Sequence, residues 1–214
     1  MEYTTDDIIK DVKVALDRNI DSEALISIGD LSTLTLNEII NHSIEDAAQS
    51  VLLQAPSTRI GEGKNFSGDI AWESRHGFGM GFLKLPDDFM RLITFQMSDW
   101  ERAVTIPIFE DSPLYQRQRS RYPGVRGCPQ RPIVAIVQYP TGQYIEFFNC
   151  VGGEEASIKR AQYLAYPKIQ ESKIELPEKC YSAIIYLIAA RVCQIIKETD
   201  QSNILMAISK EMLI

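Results

Sequence analysis

The sequence predicts an α+β protein in which N-terminal helices and a long C-terminal helix form a helical bundle, with an antiparallel β-subdomain inserted between them. Three observations carry this. Apolar residues recur at three- and four-residue spacing in 1–56 and again in 176–214, the period of a helix buried on one face. Between 82 and 175 the chain breaks into short runs rich in Val, Ile, Tyr and Phe, bounded by Pro, Gly, Asn and Asp, the composition of strands and turns. Separating the two, 57–81 holds six glycines, at 61, 63, 68, 77, 79 and 81. It shows no sustained period, so it reads as a Gly-rich extended loop, a length that in a compact domain is usually functional or mobile. The organisation is therefore helical 1–56, loop 57–81, β-subdomain 82–175 with an Arg-rich loop 116–132, and a C-terminal helix and tail 176–214 completing the bundle.

The first helix is marked by Ile8, Ile9, Val12 and Leu16 behind Thr4 and Thr5, with Asp6 and Asp7 complementing its dipole, and ends near Asn19. Thr35-Leu-Asn-Glu38 has the capping-box pattern, in which the Thr hydroxyl and Glu carboxylate each satisfy an orphaned amide. The stripe Leu36, Ile39, Ile40, Ile44, Ala47, Ala48, Val51 and Leu52 follows it, and Pro56 stops the run. Strands are predicted at Leu92–Met97, Val104–Phe109, Ile133–Tyr139, Tyr144–Asn149 and Gln162–Tyr166, with Tyr139-Pro-Thr-Gly-Gln143 as a hairpin turn. Pro177 and Glu178 open the C-terminal helix, whose Tyr181, Ile184, Ile185, Ile188, Ala189, Val192, Ile195 and Ile196 recur at helical spacing. Thr199-Asp-Gln-Ser-Asn203 interrupts it, and Ile204, Leu205, Ile208, Met212 and Leu213 continue as a short second helix or tail.

Charge is unevenly spread. The 214 residues carry 22 Lys+Arg against 29 Asp+Glu, a net charge of −7, with 45% hydrophobic residues. Such a composition suits a conventional core and excludes a disordered or disulfide-dense chain. Residues 1–55 hold 3 basic and 11 acidic side chains. By contrast, Gln116–Pro132 holds Arg117, Arg119, Arg121, Arg126 and Arg131 and no carboxylate. An acidic chain is repelled by phosphate backbones, so any nucleic-acid contact is expected to be local. No apolar run reaches the ~20 residues of a membrane span, and the acidic N-terminus lacks the pattern of a cleaved signal, so export and membrane association are not expected.

The residue types that catalysis needs are sparse. His42 falls in the second helix and His76 in the glycine loop; Cys128, Cys150, Cys180 and Cys193 are widely spaced, without a Cys-x-x-Cys pair. Gly61-Glu-Gly-Lys64 lacks the spacer and hydroxyl of a phosphate loop, and Gly77-Phe-Gly-Met-Gly81 is not a dinucleotide fingerprint. Asp87 and Asp88 are adjacent, so their carboxylates diverge, and a role in capping the following turn is expected. Nothing assembles nucleophile, base and oxyanion donor. The expectation is a non-enzyme with no catalytic residue, cofactor or metal.

Four motifs run in order through most of the chain: Leu83-Lys-Leu-Pro-Asp-Asp-Phe-Met-Arg-Leu92, Met97-Ser-Asp-Trp-Glu-Arg102, Leu164-Ala-Tyr-Pro167, and the alanine-rich stretch Leu176-Pro-Glu to Ala190. Together with the N-terminal helical pair, they resemble the head-to-tail adaptor proteins of tailed bacteriophages, also called connector or head-completion proteins. The resemblance implies a structural virion protein at the portal–tail junction, assembled in the host cytoplasm. It implies a homo-oligomeric ring, commonly a dodecamer, joining the capsid portal to the tail or to a second ring protein. DNA would pass through the lumen without sequence-specific binding, and no membrane is involved. Another tail-completion or tail-terminator virion protein, or a non-viral cytosolic interaction domain, is the alternative.

Interface candidates follow from both readings. Arg117, Arg119 and Arg121 alternate along what reads as one side of an extended segment, with Arg126 and Arg131 nearby, and are expected to meet carboxylates of another subunit or of the portal. The acidic N-terminal quarter is the natural complement, since a cyclic ring presents two different surfaces on each subunit. By resemblance, the C-terminal tail docks on the portal through Ile204, Leu205, Ile208, Met212 and Leu213, and truncation after Thr199 is expected to leave the subunit folded.

Overall fold

A computed structural model describes residues 1–17, 35–75, 78–122, 124–151 and 153–214. The expected end of the first helix near Asn19, and His76, lie outside them. Numbered in chain order, the described elements begin with β1 (Glu2–Thr4), α1 (Thr5–Asp17), α2 (Leu36–Gln54), α3 (Ser57–Ile60), β2 (Lys64–Asn65), β3 (Ala71–Arg75), β4 (Phe78–Lys84) and β5 (Phe89–Met97). They continue with β6 (Ile108–Phe109), α4 (Pro113–Arg117), β7 (Ile133–Tyr139), β8 (Gly142–Cys150), β9 (Ile158–Ala165), β10 (Lys173–Glu175), α5 (Glu178–Ile195) and α6 (Thr199–Glu211). The chain forms two compact units, Met1–Gly61 with Tyr166–Ile214, and Glu62–Ala165.

In the first unit, Thr35 caps α2 as its pattern requires: Glu38 N–H donates to Thr35 Oγ1 and Thr35 N–H to Glu38 Oε2. The stripe from Ile39 to Leu52 is buried. β1 pairs antiparallel with β10, and Tyr3 stacks on Tyr181 with ring centroids 4.1 Å apart.

The expected bundle closed by a long C-terminal helix is not what forms. The fold is mixed: six short helices, the longest 19 residues, accompany ten strands in three sheets among the described residues. The C-terminal stretch is two helices of 18 and 13 residues, parted where Lys197 adopts a left-handed φ of 66°. Thr199 to Asn203, read from sequence as an interruption, are instead the first turns of α6. Small polar residues favour helix starts, and here Ser202 and Ser209 also let α6 fold back on α5. Both are buried, and Ser209 Oγ donates to Ala183 O at 2.7 Å.

The second unit pairs a five-stranded sheet, β3-β4-β8-β7-β6, with a three-stranded one, β2-β9-β5. It is not wholly antiparallel, because β6 runs parallel to β7. β7 covers the predicted Ile133–Tyr139, and Gly142 closes the hairpin to β8. The supposed loop 57–81 is built structure: α3, β2, β3 and the start of β4 occupy it. Two of its glycines serve close packing. A Cβ on Gly81 would lie 2.1 Å from the Phe147 ring, and one on Gly63, at φ +67°, 2.4 Å from Tyr163 O.

Side chains alternate along the strands, so the five-stranded sheet is apolar on both faces. Leu83, Val134, Ile145 and Phe147 join Phe95, Met97 and Trp100 in the main core. On the opposite face, Met80, Ala135, Val137 and Phe148 pack with Tyr115 of α4. That second face positions the site.

Candidate interaction surface

Glu146 lies on β8, the middle strand of the five-stranded sheet, and is 3% exposed on the face toward α4. A buried carboxylate needs donors, and two tyrosines supply them. Tyr115 Oη donates to Oε2 at 2.9 Å, and Tyr139 Oη to Oε1 at 2.6 Å. Burial, reinforced by the carboxylate, pushes the Tyr115 phenol up to about 12 and the Tyr139 phenol higher still. The Arg119 guanidinium stands 6.0 Å from the centre of the Tyr115 ring. The adjoining cavity, lined by these groups with Glu73 and Phe148, holds about 90 Å³, well under the ~300 Å³ at which organic-ligand pockets begin. With each carboxylate oxygen engaged by a phenol, the cluster is a fastening.

What it fastens is α4 and the arginine segment behind it. Pro113 opens α4, with the Ser112 side chain accepting from Leu114 N–H. Gln118, buried, donates from Nε2 to Leu114 O at 2.9 Å and accepts from Gly127 N–H at 2.8 Å. Reciprocal backbone bonds between Cys128 and Arg131 close the next turn.

On and around this anchored segment the exposed groups are mainly apolar and cationic, with the exposed carboxylates of Glu110 and Asp111 just before α4. Ile106 is 83% and Tyr122 71% exposed, with Phe109, Leu114 and Val125 also open to solvent. Arg117, Arg119, Arg121 and Arg131 are exposed; Arg126 is not. At 6% exposure it is part of the interior, and burial lowers its pKa. Arg126 is therefore withdrawn from the surface. Nor do Arg117, Arg119 and Arg121 alternate along an extended strand: Arg117 ends α4, and the other two follow in turns. The Ser-Pro pair that starts the helix overrides the extended reading.

The C-terminal candidates are placed differently from expectation. Leu205 is fully buried, Leu213 nearly so, and Ile208 and Met212 half-buried, while Ile204 is 50% exposed. Ile204, Leu205 and Ile208 belong to α6 packed on α5, and Met212 and Leu213 follow in the turn that ends it, so the segment is integral to its unit rather than a free docking tail.

Other sequence-marked residues have structural partners. Asp88 accepts from Tyr163 Oη at 2.7 Å and from Lys64 Nζ at 3.3 Å. Partial burial opposes its charge, yet these bonds outweigh it and hold its pKa below the ordinary value. Asp88 thus ties the turn before β5 to β2 and β9. Cys150, Cys180 and Cys193 are buried, and burial raises each thiol's pKa. Among the described residues, no group of three His, Cys, Asp or Glu is placed to hold a metal ion, and no helix is long and apolar enough to cross a membrane.

Sequence reasoning passed over Tyr115, Tyr139 and Glu146. A signal was present: Glu146 is the lone charge of its strand, set within the apolar run Tyr144 to Phe148 and two positions from Phe148 on the same face. Comparison with protein-family models and with curated proteins returns no match.

Proposed function

We propose that the chain is a structural interaction protein, built to hold partners rather than to transform a substrate. Its particular role on this reading is the adaptor ring that joins a bacteriophage capsid portal to the tail and surrounds the DNA channel. The observation that carries it is the arginine segment: exposed apolar and guanidinium groups held on a rigid mount. Interfaces favour that combination, since aromatic and arginine side chains dominate binding energy and fixed geometry lowers the entropic cost of association.

Charge distribution supports the same reading. The β-unit, 62–165, has 12 basic and 12 acidic side chains, so the entire net charge of −7 belongs to the other unit. A chain with separated charge is suited to head-to-tail contact, where each subunit offers one surface and receives another. A lumen without strong affinity for phosphate would let DNA pass.

The test is electron microscopy of the chain alone and mixed with a portal protein of the same genome. Closed rings coaxial with the portal, twelvefold by the family resemblance, are the expected result. Absence of both rings and a portal complex would sink the proposal.

A further inference from the structure

α6 has a solvent face that nothing among the described residues covers. Its buried side is defined by Ser202, Leu205 and Ser209. Opposite them, at steps of four, three and four residues, lie Asp200, Ile204, Ala207 and Glu211, all exposed. At ~1.5 Å per residue this stripe extends roughly 16 Å, with an isoleucine flanked by a carboxylate on each side and no cation within the stripe.

Several carboxylates of the N-terminal quarter are engaged within their own unit. There, Asp7 is bonded to Thr4, Asp11 accepts from Tyr181, Glu38 closes the capping box, and Glu45 accepts from Ile169 N–H. Asp200 and Glu211 make no side-chain hydrogen bond or ion pair among the described residues. The same holds for Arg117 and Arg121, beside the exposed Leu114, Tyr122 and Val125.

We infer that the outer face of α6 in one copy docks on the arginine segment of a second copy. Asp200 and Glu211 pair with Arg117 and Arg121, and Ile204 packs among Leu114, Tyr122 and Val125. The contact is heterologous, using two different surfaces, so repeated copies close a ring or extend a filament. It rests on the adaptor reading and supplies the subunit contact that reading requires. It gives the arginines a carboxylate partner outside the N-terminal quarter.

The experiment is charge reversal on the full chain, with self-association followed by sedimentation, alone and in the presence of the portal protein. All four positions are exposed, so each variant is expected to keep the parent's circular dichroism and thermal midpoint. Arg117→Glu with Arg121→Glu, or Asp200→Lys with Glu211→Lys, places like charges together and weakens association on the order of a hundredfold. The variant carrying all four recovers it to within about tenfold, which a general loss of surface charge would not produce. Rings that form undiminished from either two-site variant overturn this contact and leave the adaptor reading standing. A parent that stays monomeric with and without portal overturns both. Salt-dependent binding of a single-stranded oligonucleotide by the arginine segment, without self-association, also overturns the proposal.

Discussion

Tyr115 and Glu146, 31 residues apart in sequence, meet through a 2.9 Å hydrogen bond that ties α4 to the middle strand of the five-stranded sheet. The interaction surface therefore takes its rigidity from the sheet. Hydrogen bonds to a charged acceptor are worth about 1.5–3 kcal/mol. Tyr115→Phe is expected to lower unfolding free energy by about 2 kcal/mol in urea titrations. Removing both phenols, Tyr115→Phe with Tyr139→Phe, is expected to cost more than the sum, because an unpaired carboxylate is then left buried. Additive losses would show that water already satisfies Glu146.

Alkaline titration reports on the same bond. The folded Tyr115 phenol is raised to about 12 from an ordinary 10, and Tyr163, beside Asp88, is raised to about 12 as well. A group whose pKa is higher when folded binds its proton more tightly in the native state. Its contribution is complete below pH 10 and disappears as pH climbs toward 12. Absorbance at the phenolate band should show these two tyrosines ionising late and together with unfolding. Ionisation of Tyr115 near pH 10 in folded protein would contradict the arrangement.

Gly81 and Phe147 form a second testable pair. A Cβ at 81 would meet the fully buried ring at 2.1 Å, so Gly81→Ala is expected to destabilise by about 1–3 kcal/mol through overpacking. Combining it with Phe147→Leu should recover part of that loss, a coupling that a double-mutant cycle measures directly. Equal effects of Gly81→Ala in both backgrounds would place the strain elsewhere.

The C-terminal helix gives opposite predictions for adjacent residues. Leu205→Ala is expected to cost about 2–5 kcal/mol, since Leu205 is wholly buried. Ile204→Ala should stay within about 0.5 kcal/mol. Truncation after Thr199 uncovers the apolar side of α5 and is expected to leave poorly folded protein, visible as loss of a cooperative thermal transition. A truncated chain that unfolds like the parent would restore the idea of a dispensable tail.

Where the chain's signals are local, they were legible. The Thr35–Glu38 capping box rests on interactions within a few residues and β7 on a short hairpin to β8, and both form at the predicted positions. Gly63 and Gly81 were misleading because a glycine left free and one pressed against a tyrosine carbonyl or a phenylalanine ring look alike in sequence. Thr199 to Asn203 are residues that both end and begin helices, and their role was set by the return of α6 onto α5. The site shows the same division. The arginine cluster was visible as composition, but its mount depends on Tyr115, Tyr139 and Glu146, three residues brought together by strand register. Arg126 shares the composition of its neighbours, and tertiary packing alone removes it from the surface.

The pairing of β1 with β10 has a consequence for biosynthesis. A ribosome delivers all of Glu62–Ala165 before Lys173 emerges, so the β-unit is contiguous and free to fold while the strand beginning at Glu2 still lacks its partner. The helical unit is completed last, when α5 and α6 arrive. In the proposed assembly, the outer face of α6 is made after the whole β-unit, so the arginine surface of each copy is ready before the helix that is to occupy it on a neighbour.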